Sequence, residues 1–135
     1  MGDPKDNFNY LNSLPENSRR LKALPAWFTL NTYGKQGHQE IVENCVRMVQ
    51  LMADFISNNK YFELLAPVHL NTVCFALSDK DKDSGLFLRK LNQSGKVFMT
   101  PTFFAGQPAI RAAFVNWRTS EKDIKIAIHE MLKIS

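Results

Sequence analysis

Between His38 and Asn59 apolar residues return every three or four positions: Ile41, Cys45, Met48 or Val49, Met52, then Phe55 and Ile56. That spacing puts them on one stripe of a helix, the clearest periodic signal in the chain. Asn58 and Asn59 close the segment. Two β-rich runs follow, YFELLAP and NTVCFAL, then the charged run SDKDKDSG, then LFLRKLNQSG, a short helix ending at Gly95. The tract KVFMTPTFFAGQPAIRAAFVNW reads as a β-hairpin turning near Gly106 and Pro108. Pro101 would remove a ladder donor, which places its strand at an edge or interrupts it. The last segment, TSEKDIKIAIHEMLKIS, opens on Ser120 as N-cap with Asp123 three residues on. Ile124, Ile128, Met131 and Leu132 mark its buried face.

Upstream, Ser18 to Tyr33 is apolar and helix-prone, with Pro25 inside it to bend it or mark its proper start. Gly34 and Gly37 punctuate its end. Residues 1–17 are polar and rich in Asn, Asp and Pro, and read as an extended arm. The expected order is helix, long helix, two strands, short helix, two strands, helix. That order predicts an α+β fold, an antiparallel sheet of about four strands covered by helices. The expected organisation is an arm over 1–17, an apolar interface helix over 18–37 and an α+β domain over 38–135.

The stretch QPAIRAAFVNWR sets one arginine inside an otherwise apolar strand. Strand alternation gives Ile110, Ala112 and Phe114 one face and Arg111, Ala113 and Val115 the other. Two readings stay open at this point. Arg111 is a sheet-margin arginine facing water or a surface carboxylate, or it awaits an anion such as a substrate carboxylate, which a guanidinium binds bidentately.

Composition narrows the field. With 135 residues, 44% of them hydrophobic, one substantial core is the default. The net charge of +4 is spread along the chain, its densest cluster being Arg19, Arg20 and Lys22, which is only mild support for an anionic partner. Cys45 and Cys74 lie among apolar neighbours and read as buried free thiols. MGDPKDNFNY has no apolar stretch of signal-peptide type, and no run reaches membrane-spanning length, so a cytoplasmic protein without a membrane partner is expected.

Asp79, Asp81 and Asp83 imitate the start of a calcium loop, but Ser84 stands at the glycine position and Lys90 where a bidentate Glu is needed. His38, His69 and His129 have no ligand spacing with each other or with the cysteines, so no metal site is expected. Phe98 and Phe104 could stack RNA bases, yet core packing explains them more simply, and no nucleic acid is expected as partner. Nor does the chain contain a self-contained catalytic constellation.

Three tracts taken together resemble one family: SRRLKALPAWFTLNTYGKQG, LLAPVHLNTVCFAL and GQPAIRAAFVNWRTSEKDI. Ser-Arg-Arg, Ala-Leu-Pro-x-Trp and Tyr-Gly-x-x-Gly are similar to successive motifs of the pyridoxal-phosphate-dependent (group II) amino-acid decarboxylases. That group contains the glutamate, aromatic-amino-acid, histidine and diaminobutyrate enzymes. The resemblance implies the small C-terminal domain of an aspartate-aminotransferase-type (fold type I) enzyme, a homodimer acting on a small amino acid. It also implies that pyridoxal 5'-phosphate serves the parent enzyme. The family's cofactor lysine, usually just after a histidine, has no counterpart here, since the chain contains no His-Lys pair. A fragment inactive alone and without bound cofactor is therefore expected, with the rest of the parent chain as its partner. By resemblance Arg111 contacts the substrate carboxylate, and Ser18 lies near the substrate side chain or caps a helix. Arg19 and Arg20 would pair with carboxylates at a boundary, and Trp27, Phe28 and Tyr33 would pack an interface. Tyr10 is the only upstream candidate for a mobile-loop tyrosine. The alternative is a non-catalytic module for carboxylate binding or dimerisation.

Overall fold

A computed structural model of the chain describes residues 23–135. Its described residues fall into two units, 23–38 and 39–135. The described elements are α1 (Ala23–Ser57), β1 (Phe62–Leu64), β2 (Thr72–Leu77), α2 (Ser84–Gln93), β3 (Thr100–Phe104), β4 (Gln107–Ala113) and α3 (Glu121–Ile134). The arm, Ser18, Arg19, Arg20 and Tyr10 lie outside the described residues.

In α1 the expected stop is found at Gly34, where two helical stretches meet at a kink, while Gly37 departs from expectation by staying helical. Only Gly34 leaves helical geometry, at φ 65° and ψ −171°, a backbone region essentially reserved for glycine. Helix resumes at once and runs on to Ser57. Gly37 stays helical, and only glycine fits there, since a Cβ would lie 2.6 Å from Tyr33 Cβ. Pro25 sits in the first turn, where its missing N–H costs nothing.

The four strands form one antiparallel sheet in the order β1-β2-β4-β3. Chain alternation then makes two unlike faces. Phe62, Val73, Phe75, Leu77, Ile110 and Ala112 point into one hydrophobic core with Met48, Val49, Met52 and Ile56 of α1, Leu91 of α2 and Met131 of α3. On the other face stand Glu63, Thr72, Cys74, Arg111, Ala113, Thr100 and Thr102, exposed or half-buried.

Local chemistry fixes the joints. The Asp83 carboxylate accepts from Gly85 N at 2.7 Å and caps α2, so the acidic run serves turn and cap. Ser120 donates both its N–H (2.8 Å) and its hydroxyl (2.7 Å) to Asp123 Oδ2 at the start of α3. On α3, Ala127 is buried while Leu132 is exposed, so the apolar stripe lies slightly off the expected one. The hairpin turn is Ala105–Gly106, not Gly106–Pro108, with both residues at positive φ (48° and 81°). Positive φ at both centres is the type I′ pattern that matches strand twist. Pro101 lies on the edge strand β3, in keeping with its missing donor.

Candidate functional site: an arginine on the open sheet face

Arg111 sits in the middle of β4, with β2 on one side and β3 on the other. Its cross-strand partners are Cys74 and Thr100. Ile110 and Ala112 beside it are 1% and 5% exposed, and anchor the strand in the core while the guanidinium stands on the opposite, exposed face. Burial of those two neighbours is what holds the arginine in place.

Arg111 Nε donates to Thr100 Oγ1 at 3.3 Å, and the same hydroxyl donates to the Arg111 carbonyl at 3.4 Å. Among the described residues the ion pairs join Arg47 to Glu121, and Lys96 and Lys133 to Glu130; none reaches Arg111. Arg118 is placed differently again, 4.9 Å over the Trp117 ring. Arg111 thus keeps its Nη groups without a carboxylate of the described chain. The surface-carboxylate reading finds no partner among the described residues, and the exposed guanidinium is open alike to water and to an anion.

Cys74 is not the buried thiol expected. It is half-buried beside Arg111, and burial pushes its pKa up while the guanidinium pulls it partly back down. Cys45 is buried as expected. The remaining titratable candidates sit elsewhere: His69 is exposed, and His38 Nε2 is buried with no hydrogen-bond partner. Beyond Ala113 a shallow hollow of about 230 Å³ is lined by Phe98, Ala113, Val115 and Asn116 among others, but not by Arg111. The arginine therefore stands on an open surface from which this chain's described residues do not exclude water.

The described residues do not fit a pyridoxal phosphate site. Every described lysine is exposed, and none faces an enclosed cavity in which a ring could be held. No group of three potential metal ligands occurs among the described residues. No described helix is long and apolar enough to cross a membrane. Trp27, Phe28 and Tyr33, expected to pack an interface, are each more than half exposed on α1.

Sequence reasoning missed Thr100 and Cys74 as neighbours of Arg111. Counting back across a two-residue turn at Ala105–Gly106 would have found Thr100. Nothing local signals Cys74, because the β2–β4 pairing joins segments far apart in sequence.

The family described as "Pyridoxal-dependent decarboxylase conserved domain" matches residues 12–78. Histidine decarboxylase of Drosophila melanogaster is 33% identical over 107 residues, 79% of this chain and 13% of that protein. Aromatic-L-amino-acid decarboxylase of Manduca sexta is 26% identical over 113 residues, 84% of this chain and 22% of that protein. Among solved structures, Catharanthus roseus tryptophan decarboxylase in complex with L-tryptophan superposes with a TM-score of 0.73 at 26% identity. That superposition covers 85% of this chain and 26% of the plant enzyme. The chain thus spans between about an eighth and a quarter of these three proteins. The sequence match, the relatives and the fold agree in one respect: the chain is similar to part of the pyridoxal-dependent decarboxylases.

Proposed function

We propose that this chain is the C-terminal part of a pyridoxal-phosphate-dependent L-amino-acid decarboxylase, in which Arg111 holds the substrate's carboxylate. The observation that carries this reading is an arginine anchored by its buried strand neighbours, its Nη groups presented on the open sheet face. Bound by the rest of the parent, the cofactor would supply an electron sink for the reaction. The part of Arg111 is positional. Two parallel N–H···O bonds fix the plane of a carboxylate, and with it the direction in which its carbon–carbon bond points. Ser18 is assigned to the neighbourhood of the substrate side chain. The exposed Trp27, Phe28, Leu30 and Tyr33 support a surface that the rest of the parent or its dimer partner covers.

The test is decarboxylation by the native protein that carries these residues, isolated at its natural length. Carbon dioxide release from carboxyl-labelled amino acids and the absorbance of bound cofactor are measured together. Arg111→Gln should keep the cofactor and lose about one to two orders of magnitude in kcat/KM, the worth of about 1.5–3 kcal/mol for a charged hydrogen-bonded contact. The 135-residue chain alone should release no carbon dioxide above the free-cofactor rate. Unchanged kcat/KM in the variant would remove Arg111 from the reaction, and turnover by the chain alone would overturn the fragment reading.

A further inference from the structure

The geometry points to Thr100 as the positioning residue that decides which edge of the Arg111 guanidinium meets a carboxylate. The inference rests on the reading of Arg111 above and adds a second residue to it. An arginine offers two bidentate edges to a carboxylate: Nε with one Nη, or the two Nη groups end-on. Only the first requires the Nε–H, and here that proton is directed at Thr100 Oγ1, 3.3 Å away.

The hydroxyl is suited to that role by its own bonding. It carries one hydrogen, which it gives to the Arg111 carbonyl at 3.4 Å, so it faces Nε as an acceptor. Threonine is also stiff at χ1, so the acceptor does not wander. Thr100 is fixed in turn from behind. Asn92 of α2 mimics a strand, with Nδ2 donating to the Met99 carbonyl and Oδ1 accepting from the Met99 N–H, both at 2.9 Å. Met99 is 3% exposed and immediately precedes Thr100, so α2 sets the start of β3. Through these contacts helix α2, hairpin and guanidinium form one braced unit. With Nε engaged, the two Nη groups are left as the edge for a carboxylate.

Nuclear magnetic resonance of the 135-residue chain tests this, with sodium acetate as the probe. The Arg111 side-chain Nε–H signal is assigned by its loss in Arg111→Lys, and compared in wild type, Thr100→Val and Thr100→Ser. Valine keeps the β-branched shape, so the strand is retained, and serine restores the hydroxyl. We expect Nε–H exchange with water to be at least several-fold slower in wild type and Thr100→Ser than in Thr100→Val. Acetate should shift the Nη signals and leave Nε nearly still while the hydroxyl is present, and shift Nε as well in Thr100→Val. Equal exchange in all three proteins, or acetate acting through Nε in wild type, overturns the role of Thr100 and leaves Arg111 as a carboxylate site. Acetate shifting neither Nε nor Nη in any protein overturns the Arg111 reading, and the proposal falls with it.

Discussion

Asn92→Ala should be among the most costly single substitutions of a polar residue in this chain. The Asn92 side chain satisfies both backbone groups of Met99 at 2.9 Å, in a place where Met99 is 3% exposed. Truncation orphans one N–H and one C=O where water has little access. Each unsatisfied buried group costs about 1–3 kcal/mol, so the loss should total about 2–6 kcal/mol. For a domain of this size that is a fall in melting temperature of roughly 10–45 °C. Asn92→Asp keeps the acceptor for the Met99 N–H and sets an oxygen against the Met99 carbonyl, so it should also lose stability. Asn58→Ala is the control, since Asn58 makes one 2.8 Å bond to the Asp54 carbonyl at an exposed helix end. It should cost less than about 0.5 kcal/mol. Urea unfolding followed by circular dichroism measures all three. Asn92→Ala falling within error of Asn58→Ala would refute the idea that this amide carries the start of β3.

Further outcomes follow from other parts of the fold. Ala105 holds φ 48° in the hairpin turn, so Ala105→Gly should gain about 0.5–1 kcal/mol in urea unfolding, the relief of left-handed strain less glycine's added chain entropy. Ile110, 1% exposed on the core side of β4, should cost about 2–5 kcal/mol as Ile110→Ala, by the same measurement. The Glu130 carboxyl is held below its ordinary pKa first by the hydrogen bond from Lys96 at 2.8 Å, with Lys133 helping and burial opposing. A pKa lowered in the folded state means stability present above the unfolded carboxylate value and lost as pH falls through the folded one. Melting temperatures of wild type and Glu130→Gln should therefore differ near neutrality and converge in acid, below about pH 4. At Cys74, Arg111→Gln removes the charge that opposes the effect of burial, so the midpoint of alkylation rate against pH should move further upward.

How far the fold was legible depended on whether its determinants were local. The long helix, the short helix after the charged run and the capped last helix all announce themselves within a few residues, through apolar spacing, Asp83 and Ser120 with Asp123. Pro101 marked its strand as an edge for the same reason. Gly34 does break the helix, but Gly37 misled, because a glycine's sequence does not tell whether its backbone breaks a helix or merely makes room, here for Tyr33. The hairpin turn was misplaced because Ala105 occupies a conformation alanine seldom adopts. That shift hid the Thr100–Arg111 pair. Cys74 reaches Arg111 only through a pairing that no short-range pattern encodes. The face on which Arg111 stands was readable from alternation alone, whereas its neighbours required the tertiary fold.

The proline on β3 also bears on how copies of this chain behave toward one another. In a two-residue hairpin the residues flanking the turn bond to each other, so Phe104, Thr102 and Thr100 turn their N–H groups to β4. Pro101 and Phe103 are left along the rim. An incoming strand finds no N–H at Pro101 and a single one at Phe103, which is too little for continuous pairing. Without that gap the segment would read as a run of β-forming residues with Phe103 76% exposed, a ready template for stacking. One imino acid thus stands guard over the colloidal stability of the molecule. Pro101→Val should leave the fold intact and raise light scattering in concentrated solution.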